Sequence, residues 1–245
     1  MFLNMTGAIV HYQVSGDPAR PAILFWNGAG CSLQMWNNIV KRLKEDFYLI
    51  RFDVRGTGRS SATANPAREY SFEQYADDVI SILNSLGVDV CHVWAMAWGS
   101  RAALAFCALQ QARVRSAAFF DLSIGKADVE AQQQQSRVAR KKQYAAGIVE
   151  EPAPLGWNQH NHPEEVPKAL SAAARYDLRA AAANLALPVL VATGDHDPNL
   201  ASSREFVAMT PSASLVVMPD VGHGSVLQRP GLTTAIYEEF LKRHV

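Results

Sequence analysis

The segment Val93-Trp94-Ala95-Met96-Ala97-Trp98-Gly99-Ser100 carries a stretch that reads as a buried strand, residues 91–96, straight into a run of small residues, 99–109, with helical character. Small side chains stand two positions before residue 97 (Ala95) and two after it (Gly99). A strand that turns into a helix within one residue has no room for larger groups at those two positions. It also thrusts the central side chain outward. Taken alone, the pattern equally suits an ordinary strand-to-helix connection, so its meaning rests on the rest of the chain.

On either side, strand and helix alternate. Residues 8–14 read as a strand ended by Gly16-Asp17-Pro18. Residues 22–26 are a short unbroken apolar run, the signature of a strand buried on both faces, and residues 48–52 read as the next buried strand. Leu33, Trp36, Val40 and Leu43 have helical spacing. Ser71 and Gln74 form a capping box for a helix that runs to about Leu86 and stops at Gly87. Residues 116–120 read as a strand. After residue 187 come a strand at 189–193, a helix at 201–209, a strand at 214–218 and a final helix at 232–243. The alternation predicts an α/β fold with a mostly parallel, doubly wound sheet covered by helices on both faces. Ligands of such sheets bind outside the carboxyl ends of the strands.

Residues 122–187 break the alternation. They hold a glutamine run at 132–135, the cations Arg137, Arg140, Lys141 and Lys142, several prolines, and an alanine-rich stretch at 172–183. This predicts two or three helices inserted as a small lid. The expected organisation is a core of 1–121 and 188–245 with a lid of 122–187.

Composition bounds the function. The 245 residues suffice for one well-buried domain, and 49% are apolar and 19% charged. Lys plus Arg equals Asp plus Glu, so the formal net charge is zero. That gives no reason to propose nucleic acid or an anionic membrane as a partner. Residues 1–10 lack a basic segment followed by a long apolar run, so no signal peptide is expected. No stretch approaches the roughly 20 apolar residues that span a bilayer. Cys31, Cys91 and Cys107 are sparse and odd in number, which suits reduced thiols in a cytoplasmic protein. Their spacing supports no zinc site.

Two further segments lie beyond the middle of the chain, each after an expected strand: Thr193-Gly194-Asp195-His196-Asp197-Pro198 and Asp220-Val221-Gly222-His223-Gly224. With the 93–100 segment they give the order nucleophile, acid, His. On these residues the chain resembles α/β-hydrolases of the compact esterase, enol-lactonase and carbon–carbon-bond hydrolase type, over essentially its whole length. Asp53-Val54-Arg55-Gly56-Thr57-Gly58-Arg59-Ser60 is similar to the family's D-x-R-G-x-G-x-S loop. Trp26-Asn27-Gly28-Ala29-Gly30 is similar to its H-G-x-G loop, with Asn27 where His is usual. The nucleophile elbow reads A-x-A-x-G where G-x-S-x-G is usual, which puts Ala97 at the nucleophile position.

The resemblance implies a role for each of these residues. His223 matches the general base and Asp197 the acid that orients it. Asp195 is the weaker neighbour, and Asp121 matches an alternative acid position. The backbone amides of Trp98 and Ala29 match the oxyanion hole. Asn27, Gly28, Asp121 and Trp157 are expected around the substrate pocket. The implied partner is a small, mostly apolar molecule, with no cofactor and no metal, bound to a monomer or homodimer. His160 and His162 lack a third ligand at helical spacing and are expected in a solvated loop. The basic stretch 137–142 is expected on a solvated helix face.

An alanine methyl cannot attack a carbonyl, and Ser100 lies inside the helix, off the tip of the elbow. Loss of the serine in a subtilisin-type enzyme costs about 10⁶ in kcat, so the chain as written is expected to be nearly inactive in hydrolysis. Two explanations stand. In one, a serine enzyme carries an alanine substitution that lets substrate bind uncleaved. In the other, the protein lacks the nucleophile by nature and works as a binding protein or as a non-covalent acid–base enzyme.

Overall fold

The computed structural model describes residues 1–244; Val245, the last residue of the expected core, lies outside them. The elements run β1 (Phe2–Met5), β2 (Ala8–Ser15), β3 (Ala22–Trp26), α1 (Asn37–Leu43), β4 (Tyr48–Phe52), α2 (Pro66–Glu69), α3 (Phe72–Ser85), β5 (Cys91–Met96), α4 (Trp98–Leu109), β6 (Val114–Phe120), α5 (Val129–Ala145), α6 (Val166–Leu170), α7 (Leu178–Ala183), β7 (Val189–Gly194), α8 (Leu200–Met209), β8 (Ala213–Met218), α9 (Ser225–Gln228) and α10 (Pro230–Leu241).

Every residue of β3, β4, β5 and β7 is buried. Such strands satisfy their backbone groups only inside a sheet whose two faces are both covered. The sheet has eight strands in the order β1-β2-β4-β3-β5-β6-β7-β8. β1, β2 and β4 pair antiparallel, and β4 through β8 are parallel. Connections leave β3 toward β4 on one side and, from β5 onward, toward β8 on the other. The strand order therefore reverses between β3 and β5, and the loops after those two strands share the crevice where such sheets bind ligands.

Two apolar cores flank the sheet. One joins Leu24, Val93, Ala117 and Val191 to α3, α4, α7 and Phe206 of α8. The other joins Ile23, Phe25, Trp94 and Phe120 to α1 and α10, with Trp94 stacked on Tyr237 at 4.2 Å.

Several elements depart from the pattern read along the chain. β1 was not expected, because its residues are half exposed and carry no strong alternation; it is held by antiparallel pairing with β2. The helix expected from the spacing of Leu33, Trp36, Val40 and Leu43 begins as a 3₁₀ turn at Leu33–Trp36. There Asp53 draws the chain in by accepting from the Leu33 amide at 2.7 Å. The last helix starts at Pro230, whose missing N–H costs nothing at a first helical position.

The 122–187 segment divides by packing. α5 buries Gln132, Ala139 and Gln143 beneath itself. In α6 and α7, Val166, Ala169, Leu178, Ala181 and Ala182 are buried, the last four in the core that holds α3 and α4. The Ala169 carbonyl accepts from the Tyr75 hydroxyl of α3 at 2.9 Å. α7 lies against α4 and α8.

Candidate active site

Ala97 joins β5 to α4 with φ 56° and ψ −116°. A residue with a Cβ pays about 1–3 kcal/mol to sit in so sparsely populated a region. Its surroundings hold it there: the Ala97 amide donates to the Phe120 carbonyl at 2.8 Å, and its own carbonyl accepts from Ser100 at 3.0 Å. The need for a small residue at position 99 is explicit. A Cβ on Gly99 would lie 2.6 Å from the Trp26 carbonyl oxygen and closer still to that of Asn27. Helix α4 and the loop after β3 are thus in backbone contact. Ser100 is fully buried, and its hydroxyl donates to the Phe120 carbonyl at 2.8 Å, so it does not reach the elbow tip.

His223 follows β8 and Asp197 follows β7. Their side chains meet, with His223 Nδ1 2.9 Å from Asp197 Oδ2. The other carboxylate oxygen accepts from the Asn199 amide at 2.9 Å, and Asp197 is buried. An ionised Asp197 requires the proton on Nδ1 and leaves Nε2 as the free basic nitrogen. Burial opposes the imidazolium, but the hydrogen bond and charge of Asp197, with that of Asp121, outweigh it and hold the His223 pKa above its ordinary value.

Asp121 also belongs to this constellation, in a different role from the orienting acid. It sits just past β6 at φ 55°. Its Oδ2 accepts from the amides of Gly224 (3.0 Å) and Ser225 (2.7 Å), and its carbonyl accepts from the Asn199 side chain at 2.8 Å. It ties the loop carrying the histidine to the loop carrying Asp197. Complete burial and the nearby charge of Asp197 push its pKa up to about 7.

A cavity of 440 Å³ opens at the elbow. Ala29, Ala97, Trp157, His223 and Leu227 are on its wall. The amides of Ala29 and Trp98 donate to no acceptor among the described residues. The Trp98 side chain points the other way, against Phe72 and Tyr75, with its indole N–H on the Leu170 carbonyl at 2.9 Å. Asn27, Gly28 and Asp121, expected at the pocket, are not on the wall. Asn27 is buried, donating to the Phe52 carbonyl at 2.8 Å and accepting from the Trp36 indole at 3.0 Å. Gly28 packs under Met96, whose Cε would lie 2.5 Å from any Cβ there.

One expectation about the insertion needs correction. His160 is not a free loop residue. Its Nδ1 accepts from the Gly58 amide at 2.7 Å, and its Nε2 lies 3.1 Å from the Gly30 carbonyl. It pins the 53–60 loop to the loop bearing Ala29. His162, by contrast, is exposed. The basic stretch is solvent-exposed as expected, and it also borders the cavity. Arg137 and Arg140 are on the cavity wall, and Lys142 lies 2.9 Å from His196 Nε2 and 3.3 Å from Asp220.

The 53–60 loop acts as scaffold. Asp53 binds His11 Nδ1 (2.8 Å) and the amides of Leu33 (2.7 Å) and Arg59 (3.1 Å). Arg55 is completely buried on Asp78, with two contacts of 2.6 Å. Cys31 is on the cavity wall near Ala29, but burial pushes its thiol up to about 12, so it is no thiolate nucleophile.

Residues that the chain order did not single out complete the site. Gln132 of α5 donates to Asn199 Oδ1 (3.1 Å), Ser136 donates to the His223 carbonyl (3.1 Å), and Gln228 donates to the same carbonyl (2.5 Å). No local signal in the sequence marks them; each matters because of what the fold brings to it.

This geometry agrees with comparisons to known proteins. The model of the α/β hydrolase fold family matches residues 21–160. The chain is 23% identical over 265 aligned positions to 3-oxoadipate enol-lactonase 1 of Acinetobacter baylyi, covering 99% of this chain and 96% of that protein. It is 36% identical over 104 positions to the putative carbamate hydrolase RutD of Caulobacter segnis, covering 41% of this chain and 39% of the other. Among solved structures it is similar to the enol-lactonase from Burkholderia xenovorans LB400, with a TM-score of 0.81 and 23% identity over 99% of this chain and all of that one. With a family match across more than half its length, and the elbow, acid and histidine loops at the ends of the parallel strands β5, β7 and β8, the chain belongs to the α/β-hydrolase fold family.

Proposed function

We propose that this chain carries the site of a serine-type hydrolase for an ester, lactone or similar acyl bond in a small molecule. Ala97 stands where the serine would attack, so the chain as written binds its substrate without covalent turnover. The observation behind this reading is the backbone at residue 97. A methyl-bearing residue is held at φ 56° on the cavity wall, beside a paired His223 and Asp197. The names of the relatives, an enol-lactonase and a putative carbamate hydrolase, support carbonyl hydrolysis as the reaction class.

With a serine at position 97, the hydroxyl attacks the carbonyl carbon and His223 Nε2 takes its proton. Asp197 keeps the imidazole in the required tautomer and stabilises the imidazolium. The amides of Ala29 and Trp98 receive the developing oxyanion. His223 then protonates the leaving group, and water releases the acyl group by the reverse sequence. The Ala97→Ser variant tests this: it is expected to hydrolyse p-nitrophenyl acetate and to be labelled by a fluorophosphonate. If neither occurs, the hydrolase reading fails.

A second reading rests on the intact His223–Asp197 pair, which keeps a raised basicity at the cavity without any nucleophile. It is non-covalent acid–base chemistry. Turnover by the chain as written, abolished in His223→Ala or Asp197→Asn, would establish it. Binding without turnover in either form would leave a binding protein.

A further inference from the structure

The cavity at Ala97 has an uneven distribution of charge. Its wall contains Arg137 and Arg140 and no Asp or Glu. Both arginines come from α5, as do Val129, Gln132, Gln133 and Ser136 on the same wall. Their spacing of three, one, three, one and three residues is one face of a helix, so the whole stripe is presented to the cavity together.

The stripe is also fixed in place. Gln132 holds Asn199 at 3.1 Å, Ser136 holds the His223 carbonyl at 3.1 Å, and Gln143 donates to the Asp220 carbonyl at 2.7 Å. Arg137 adjoins Ser136 in sequence. Arg137, Arg140 and His223 are all on the wall of the same 440 Å³ cavity. Arg137 makes no hydrogen bond or ion pair among the described residues. Arg140 has only a 3.6 Å approach to Glu150, with both side chains more than half exposed. Such a pair contributes little and yields readily to a better partner. Two guanidinium groups beside an acyl-hydrolysis centre, with no neutralising carboxylate on the wall, suit a planar anion that accepts paired N–H donors.

We propose that the substrate is an ester or lactone bearing a carboxylate, and that Arg137 and Arg140 bind this carboxylate while the scissile carbonyl faces position 97. The proposal rests on the reading of this cavity as the substrate site. It narrows the mostly apolar ligand expected from the sequence to an anionic one.

The chain as written serves as its own trap, so binding can be measured without turnover. The probes are monomethyl glutarate, which carries one carboxylate, and dimethyl glutarate, which carries none, titrated calorimetrically at millimolar concentration. The monoester is expected to bind about 10-fold more tightly, the scale of a charge-assisted hydrogen bond at a partly exposed site. Arg137→Ala/Arg140→Ala is expected to erase that preference while leaving diester binding unchanged. Both arginines are solvent-exposed, so the double variant is expected to melt with the parent. Arg137→Lys/Arg140→Lys should restore part of the preference. Equal binding of the two probes by the parent, no binding of either, or a preference that survives the double alanine variant would overturn the proposal. Turnover of the uncharged p-nitrophenyl acetate by Ala97→Ser is measured separately. If that turnover is absent while the charge preference is present and lost in the double variant, the hydrolase reading falls and the anion site stands.

Discussion

Gly99→Ala is the sharpest test of how the elbow is built. The added methyl would lie 2.6 Å from the Trp26 carbonyl oxygen and 2.8 Å from its carbon, with the Asn27 oxygen closer still. These are backbone atoms at the end of a fully buried strand, so no side-chain rotation relieves the clash. Overpacking costs about 1–3 kcal/mol where neighbours can adjust, and a backbone neighbour puts this substitution at about 3 kcal/mol. For a chain of this length each kcal/mol moves the melting temperature by about 2–4 °C, so a fall of about 6–12 °C is expected. The assay is thermal unfolding by circular dichroism, with urea midpoints at unchanged slope as a check. Gly125→Ala is the control, since a Cβ there meets nothing within 4 Å and the backbone is not left-handed. It should be neutral or gain about 0.4–1 kcal/mol. Because the displaced carbonyls belong to the loop bearing Ala29, Gly99→Ala should also lower kcat in the Ala97→Ser background. A Gly99→Ala protein melting within about 2 °C of its parent would refute the claim that backbone contact fixes residue 99.

Three further outcomes follow from particular contacts. His160→Ala leaves the buried Gly58 amide without its acceptor and should cost about 1–3 kcal/mol, read from urea midpoints; an unchanged midpoint would show that the bridge to Gly30 is incidental. Asp121 has a pKa raised from 3.8 to about 7, so the folded state binds more protons than the unfolded chain across that window, and this group's contribution to stability falls as pH rises through it. Melting temperatures of Asp121→Asn and the parent, compared from pH 4 to 8, should diverge in favour of the variant as pH rises, and a constant difference would count against a raised pKa. In Ala97→Ser the imidazole must be neutral to act as base, so kcat/KM for p-nitrophenyl acetate should rise with pH through a value above 6.5. Adding Asp197→Asn should lower kcat by about 10⁴ through the wrong tautomer, and a loss under tenfold would remove Asp197 from its assigned role.

Much of the fold was legible along the chain because its signals are local. The unbroken apolar run at 22–26 and the mostly apolar runs at 48–52 and 91–96 read as doubly buried strands, and all three are. Small residues on both sides of position 97 mark a tight turn whose geometry the structure then specifies. The order of residue 97, Asp197 and His223 puts all three at one edge of the sheet, since parallel strands end on the same side. The weakly patterned β1 was missed because a half-exposed edge strand is defined by its partner rather than by its own residues.

The tertiary structure alone decided which polar residues serve which neighbour. Nothing local distinguishes Asn27, turned inward to Phe52 and Trp36, from a pocket residue. Nothing local shows that His160 bridges two loops, or that Asp121 binds the amides of Gly224 and Ser225 rather than the His223 ring. The basic face of α5 could not be assigned to solvent or cavity until the helix was placed over the elbow. Apolar periodicity records only whether a side chain is buried. A hydrogen bond or a charge contact depends on direction and on a partner that can stand a hundred residues away, as Gly58 does from His160, and only the folded chain supplies both.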